Sequence, residues 1–287
     1  MIDTHQHFWR LSRGGYAWMS KDVPVLFRDY EPDDLKDVLA KVGVKGTIAV
    51  QADDNVAETE FLLSLAAATP WIMGVVGWVD LGGPAASHEI ARLAENPKLV
   101  GIRPMIQDIT DQDWMLGSDL AAGLEALKDL NLTFDALILQ KHLPNLDQFL
   151  DLYPNLRVVI DHCAKPSFED GAFSQWAEGI GRAAAHANCF CKLSGLMTEA
   201  PQGTKEAEIR KYLHHAVACF GADRVLFGSD WPVLNVASDY VAWVKIVRSC
   251  LTHLPVADQE RVFSENPLKI YPRIAAKPDA DGGFNGT

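Results

Sequence analysis

The sequence predicts an α/β fold: a single (β/α)8 TIM barrel with a long loop after the first strand and an extra C-terminal helical segment. Three observations predict it. Short β-branched runs alternate with longer helical stretches eight times along 287 residues. No break in composition divides the chain, and barrels often use this length as one domain. Polar and aromatic residues gather where the expected strands end, which is where a barrel carries its chemistry. A doubly wound sheet is the rival topology, but eight units at this length favour closure.

The first strand is expected over 2–8, and the segment 9–30 after it holds Trp9, Tyr16, Trp18 and Phe27, as a loop folded over one end of the barrel would. Glu31-Pro32-Asp33-Asp34 opens a helix over 32–42, with proline and acids in its first turn and Gly43 at its end. Strands over 46–52, 72–80 and 99–106 alternate with helices over 57–68, 85–94 and 118–130, where Ser118-Asp119 offers cap side chains and Asn131 a stop. Strands over 133–139, 157–164, 189–195 and 224–232 alternate with helices over 143–152, 172–187, 205–220 and 238–251, where Ser238-Asp239 again offers caps and Gly221 a stop. A further helical piece lies in 255–272. The barrel domain is expected over 1–275, followed by a loose polar tail over 276–287, AKPDADGGFNGT from Ala276 onward.

The 26 basic against 38 acidic residues form no basic cluster, so neither nucleic acid nor an anionic membrane surface is expected as partner. No apolar run reaches a spanning length and the first residues carry no leader pattern, so the expected location is the cytoplasm. Five cysteines without a CxxC pair argue against a disulfide framework. Cys189 and Cys191 share a strand face that suits a metal, though small core residues is the commoner reading.

The expected strand ends supply the candidate site. His5 and His7 share one side of the first strand, with Asp3 below them. Gln51, Trp78 and Arg103 follow on the next three, and Gln140 or His142 on the fifth. The sixth ends DHCAKP, with His162 and Lys165; the seventh CKLSG, with Lys192 and Ser194; the eighth FGSDWP, with Asp230 and Trp231. Closure places the eighth strand beside the first, so Asp230 is expected next to the histidine pair. A carboxylate there completes a metal site or acts as a general base. Each residue has a plainer reading. An aspartate in such a turn is as often an Asx-turn or helix cap. His162 alone reads as a hydrogen-bonded loop histidine. Arg103 reads equally as a structural ion pair, and any one tryptophan as core. Lys192 and Arg103, in apolar company, are expected to reach a polar mouth and hold a carboxylate or carbonyl oxygen. Trp78, Trp231, Trp9 and Trp18 would be its aromatic walls. His88, His186, His214, His215 and His253 fall on helices away from the mouth. No GxSxG elbow, phosphate loop or nicotinamide or flavin fingerprint occurs, which leaves metal-assisted or acid–base hydrolysis.

MIDTHQHFW, VIDHCAKP, CKLSG and FGSDWP, in that order, resemble the amidohydrolase-related TIM-barrel family, and within it the sugar-lactone hydrolases: the L-fuconolactonase, L-rhamnonolactonase and pyrone-dicarboxylate lactonase group. The resemblance runs from Met1 to about Pro272. It implies hydrolysis of an aldonolactone, with His5, His7, His162 and Asp230 as metal ligands and Asp230 taking the proton of the attacking water. Gln51, Trp78, Arg103, Lys192 and Trp231 would hold the substrate. The fourth strand offers no bridging lysine, so at most one divalent metal, Zn²⁺, is implied. Members that work without metal make metal-free catalysis the alternative. Pro104 stands where fuconolactonase-like members often carry histidine. A metal-dependent decarboxylase and a non-catalytic sugar-acid binding protein are the rival functions. CO₂ release separates the first, and ligand binding without product the second. Assembly into a homo-oligomer is left open by the sequence.

Overall fold

The computed structural model describes residues 1–275; the expected tail, 276–287, lies outside them. Eight parallel strands run in sequence order: β1 (Ile2–Gln6), β2 (Gly46–Val50), β3 (Ile72–Gly77), β4 (Leu99–Ile102), β5 (Thr133–Ala136), β6 (Val158–Ile160), β7 (Cys189–Leu193) and β8 (Val225–Phe227). The ring closes between its ends. The Thr4 hydroxyl donates to Phe227 O at 2.8 Å, Asp230 N to His5 O at 2.8 Å and His7 N to Trp231 O at 2.8 Å.

The helices are α1 (Pro32–Val42), α2 (Val56–Ala68), α3 (Ala86–Ala94), α4 (Ala121–Asp129), α5 (Leu143–Leu152), α6 (Ala172–Ala185), the short α7 (Leu196–Glu199), α8 (Glu206–Phe220) and α9 (Tyr240–Cys250). α1 starts on a capping box between Glu31 and Asp34 and ends at Gly43 in left-handed geometry. The Asp239 carboxylate caps α9 by accepting from Ala242 N at 2.9 Å. Ser118-Asp119 caps nothing; it lies in a 3₁₀ turn, Ser118–Leu120, that runs into α4. The strands are shorter than expected because the residues after them turn into the mouth. His7, His162 and Asp230 all lie beyond the last paired residue of their strand.

Strand alternation sorts the core into two. Residues such as Ala49, Val75, Leu99, Phe134 and Val158 pack outward under the helices, with Cys189 and Cys191 as small core residues among them. Ile48, Val50, Val76, Val100, Val159, Phe190 and Leu226 fill the inside, together with Ile270, Tyr271 and Ile274. The C-terminal segment, α10 (Val256–Glu260), a π-turn (Arg261–Glu265), α11 (Asn266–Ile270) and α12 (Pro272–Ala275), is thus a plug in the barrel floor. No helix among the described residues is long and apolar enough to cross a membrane.

Candidate active site

Three imidazoles converge on one carboxylate. The Nε2 atoms of His7, His5 and His162 lie 3.3, 3.8 and 3.9 Å from Asp230 Oδ1. Two come from the end of β1, one from the turn after β6, and the aspartate from the turn after β8. The backbone is bent to present them. His162, Cys163, Ala164 and Lys165 have φ of 52, 52, 61 and 44°, and Asp230 has φ 59°. Left-handed geometry at a residue with a Cβ costs about 1–3 kcal/mol, and such strain collects at functional sites. Gly195, at φ 71°, leaves the space for His162: a Cβ there would stand 2.5 Å from its Nδ1.

The other ring nitrogens are engaged. His7 Nδ1 lies 2.8 Å from Val50 O, a carbonyl that can only accept, so Nδ1 carries a proton and Nε2 is the nitrogen that faces Asp230. His162 Nδ1 lies 2.9 Å from the Ser194 hydroxyl, and His5 Nδ1 3.3 Å from Asp161 Oδ1. Burial holds both His5 and His162 well below the usual imidazole range. For Asp230 burial pushes upward, but the His162 and His7 rings and Lys165 together outweigh it and hold the carboxyl below its ordinary value.

His5, His7 and Asp230 each offer a ligand atom within 4.8 Å of the others and could hold a cation, and His5, Asp161 and His162 form a second such group. Imidazoles with a carboxylate are a zinc-type set, and tetrahedral bonds of 2.0–2.1 Å separate ligand atoms by about 3.3 Å. The observed separations from Asp230 Oδ1, 3.3–3.9 Å, are long for hydrogen bonds and close to that spacing. Orienting the far nitrogen through a carbonyl, hydroxyl or carboxylate is the support that metal-bound histidine receives.

Beneath the histidines lies a second charged group that the sequence did not reveal. Lys192 Nζ is 2.6 Å from Asp135 Oδ2 and 2.9 Å from Asp161 Oδ1, all of them fully buried. For Asp161 burial pushes upward, but Lys192, His5 and Arg103 outweigh it and hold the carboxyl well below its ordinary value. Burial raises Asp135. The DH doublet just after β6 is the sequence signal for Asp161, and alternation from the inward-facing Val159 points it into the barrel.

Above the histidines a cavity of about 780 Å³ opens, lined by His7, His162, Arg103, Trp78, Trp18 and Asp230 among others. Its acids, Asp53, Asp54, Asp80, Asp108 and Glu199, outnumber its cations, Arg103 and Lys165, and Lys165 is paired with Glu199 at 2.8 Å.

Of the nine residues expected at the site, His5, His7 and His162 come together around Asp230, and Arg103 and Trp78 line the cavity above. Gln51, Lys192 and Trp231 do not line it. The Gln51 amide donates to Arg103 O at 2.9 Å and the Arg103 guanidinium bonds Gln51 O, so Gln51 holds the arginine. Lys192 turns down to two carboxylates because a buried ammonium needs them. Trp231 and Trp9 are core, both packed on Tyr30, leaving Trp18 and Trp78, with Trp114, as the aromatic walls. His142 accepts from Leu139 N through its own Nδ1 at 3.1 Å, and the Gln140 side chain accepts from Ser167 N at 2.9 Å, so neither reaches the site. Asp3 accepts from Ser229 N at 2.9 Å and from the Tyr240 hydroxyl at 2.7 Å, stitching the β1–β8 seam.

Known proteins resemble this chain over nearly its whole length. An L-fucono-1,5-lactonase of Burkholderia ambifaria is 42% identical over 275 residues, 94% of either chain. An L-fucono-1,5-lactonase of Burkholderia multivorans is 34% identical over 282 residues, 94% of this chain and 95% of that one. A crystal structure of an amidohydrolase from Burkholderia multivorans with bound zinc superposes with a TM-score of 0.89 at 34% identity, covering 94% of this chain and 98% of that chain. The amidohydrolase family model matches residues 2–273. As the ordered motifs implied, the chain belongs to the amidohydrolase family.

Proposed function

We propose that this protein is a hydrolase that opens a sugar-acid lactone, of the aldonolactone class to which L-fucono-1,5-lactone belongs, and that it acts on this small molecule in the cytoplasm through the barrel domain 1–275. The observation that carries the reading is the convergence of three Nε2 atoms on Asp230 Oδ1 at the floor of a roomy cavity. The two lactonases at 42% and 34% identity support the substrate class. The acidic lining supports a neutral polyhydroxylated substrate, since carboxylates accept from hydroxyl groups and repel an anion. The same lining disfavours a decarboxylase, whose substrate arrives as a carboxylate.

The residues divide the work. Asp230, ionised at neutral pH, orients a water and takes its proton as the water attacks the lactone carbonyl. The Arg103 guanidinium, at the cavity edge and 3.4 Å from His5 Nε2, faces the negative charge that develops on the carbonyl oxygen. One such donor is worth about 3 kcal/mol. Trp78 and Trp18 cover the apolar face of the ring. His5, His7 and Asp230, with His162 beside them, would hold one divalent cation, and the zinc-bound relative supports Zn²⁺. When bound, the cation supplies Lewis acidity, which lowers the pKa of water and polarises a carbonyl.

The test is a pH-indicator screen of aldonolactones with the protein as purified, after chelation, and after zinc is returned. Rapid acid release from one or more lactones, reduced at least about tenfold by chelation and restored by zinc, is the expected result. No hydrolysis of any lactone by zinc-loaded protein would refute the reading. Full activity after complete chelation would refute the metal alone.

A further inference from the structure

A line of buried polar groups descends from the site to the barrel floor. Asp161 Oδ1 makes charge contacts at 3.3 Å with His5 Nδ1 and at 2.9 Å with Lys192 Nζ, and Lys192 Nζ itself lies 3.3 Å from His5 Nδ1. Lys192 Nζ lies 2.6 Å from Asp135 Oδ2. The same Asp135 oxygen accepts from the Tyr271 hydroxyl at 2.7 Å, and Thr133 donates to its Oδ1 at 3.0 Å. Every one of these residues is fully buried. Arg103 closes the top, with Nη1 3.4 Å from Asp161 Oδ2. The two carboxylates balance the two cations, so the group is neutral as a whole.

Stability does not explain such a group. Buried ion pairs recover their desolvation cost poorly, and apolar replacements of similar volume are often neutral or better. The interior side chains around it are of that apolar kind: Ile48, Val76, Val100, Val159 and Leu226, of which Val159 pairs in register with Asp135 and Leu226 with Lys192. What the polar line does provide is direction. Lys192 cannot move toward one carboxylate without leaving the other, and Asp161 cannot turn without losing Lys192. The far end is fixed by a hydroxyl whose ring is wedged in the floor plug.

We propose that the line Tyr271–Asp135–Lys192–Asp161 fixes His5 so that its Nε2 faces Asp230, which makes Asp135 and Tyr271 positioning residues of a site neither of them touches. The proposal rests on the lactonase and zinc readings of that site, through His5. Removal of the Tyr271 hydroxyl frees one Asp135 lone pair and lets Lys192 settle toward Asp135. Asp161 then follows Arg103, and the Asp161 and Lys192 contacts that hold His5 Nδ1 both loosen. The loss falls on turnover and on metal affinity, because the substrate is held by the cavity walls, which do not change.

The experiment compares Tyr271→Phe and Asp135→Asn with wild type. It measures kcat and KM on the best lactone, zinc affinity by competition with a chromophoric chelator, and Tm. Partners that orient a metal-bound histidine typically contribute about 10- to 100-fold. Asp135→Asn should lower kcat and zinc affinity about tenfold and Tyr271→Phe about threefold, with KM within about twofold of wild type. Folded Tyr271→Phe with wild-type kcat and wild-type zinc affinity overturns the proposal, whatever its Tm. The phenylalanine keeps the ring in place, so folding does not obscure the outcome. Wild-type protein that hydrolyses no lactone refutes the functional reading and leaves the zinc titration to decide the positioning line. Wild-type protein that neither hydrolyses a lactone nor binds zinc overturns both.

Discussion

Each of the three converging imidazoles has one nitrogen held by the protein and the other facing Asp230, and this sets the tolerances of the site. Gly195→Ala places a methyl group 2.5 Å from His162 Nδ1 and forces a left-handed backbone on alanine. A shift of the ring by about 1 Å is enough for a 100-fold loss of turnover. We expect such a loss, with the Ser194–His162 contact broken, and steady-state kinetics on the screened lactone would measure it. Asp230→Asn keeps shape but removes the proton acceptor, so kcat should fall about 1,000-fold while the folded protein persists. Near-normal kcat in that variant would transfer the base role elsewhere. These four residues were legible in the sequence because each stands in a short motif at a strand end, and parallel strands in a closed ring bring their ends together. Lys192 and Gln51 were misread for a reason of depth. Residue type and alternation say that a side chain points inward, but not whether it rises to the mouth or sinks between neighbours, and the acids that draw Lys192 down lie 57 and 31 positions away.

The loop after β1 is secured by one buried carboxylate. Glu58, at the start of α2, accepts from the Tyr16 hydroxyl at 2.8 Å and from Ala52 N at 3.3 Å, with Arg13 3.6 Å away. Trp18 Nε1 adds a bond to Ala52 O at 2.7 Å, so the loop bearing one cavity wall is tied to the end of β2. Burial pushes Glu58 up to about 7, from 4.5. The native state then holds a proton that the unfolded chain has already released. This contribution is full below pH 4.5 and is lost as pH rises through about 7, a swing of about 3 kcal/mol. His5 and His162 act in the opposite sense: their depressed values favour the fold above about pH 6.5 and weaken it in acid. Comparison with Glu58→Gln isolates the carboxyl. The variant should gain Tm over wild type between about pH 5.5 and pH 8, and parallel melting curves at both values would reject the assignment. The aromatic content of 9–30 already marked this loop as a cover. Its anchor was not legible, because Glu58 reads as an ordinary first-turn acid of a helix, and only the fold brings Tyr16 to it.

For the whole molecule, eight alternating units and the absence of a composition break were enough to predict the closed ring, since each strand needs a helix to cover its outer face and parallel strands need crossovers. The role of the last segment was not deducible the same way. Its apolar residues predict a helix with one buried side but do not name the surface it covers. In the structure, Ile270, Tyr271 and Ile274 complete the interior cluster at the floor, and the Asn266 amide donates to Ala222 O at 2.7 Å and Val225 O at 2.8 Å. Burial of three large side chains contributes about 1.5–3 kcal/mol each, which together approaches the net stability of a typical domain, about 5–15 kcal/mol. The floor is therefore part of the cooperative unit. Ile270→Ala should cost about 2–5 kcal/mol in urea denaturation, with no change in KM, because the cavity lies at the other end. A chain ended after Leu254 should show no sharp unfolding transition at all, as it exposes the interior strands and removes the hydroxyl that anchors Asp135. A shortened chain that melts as sharply as wild type would mean that the eight strands close their own floor, and the anchoring of Lys192 from below would lose its foundation.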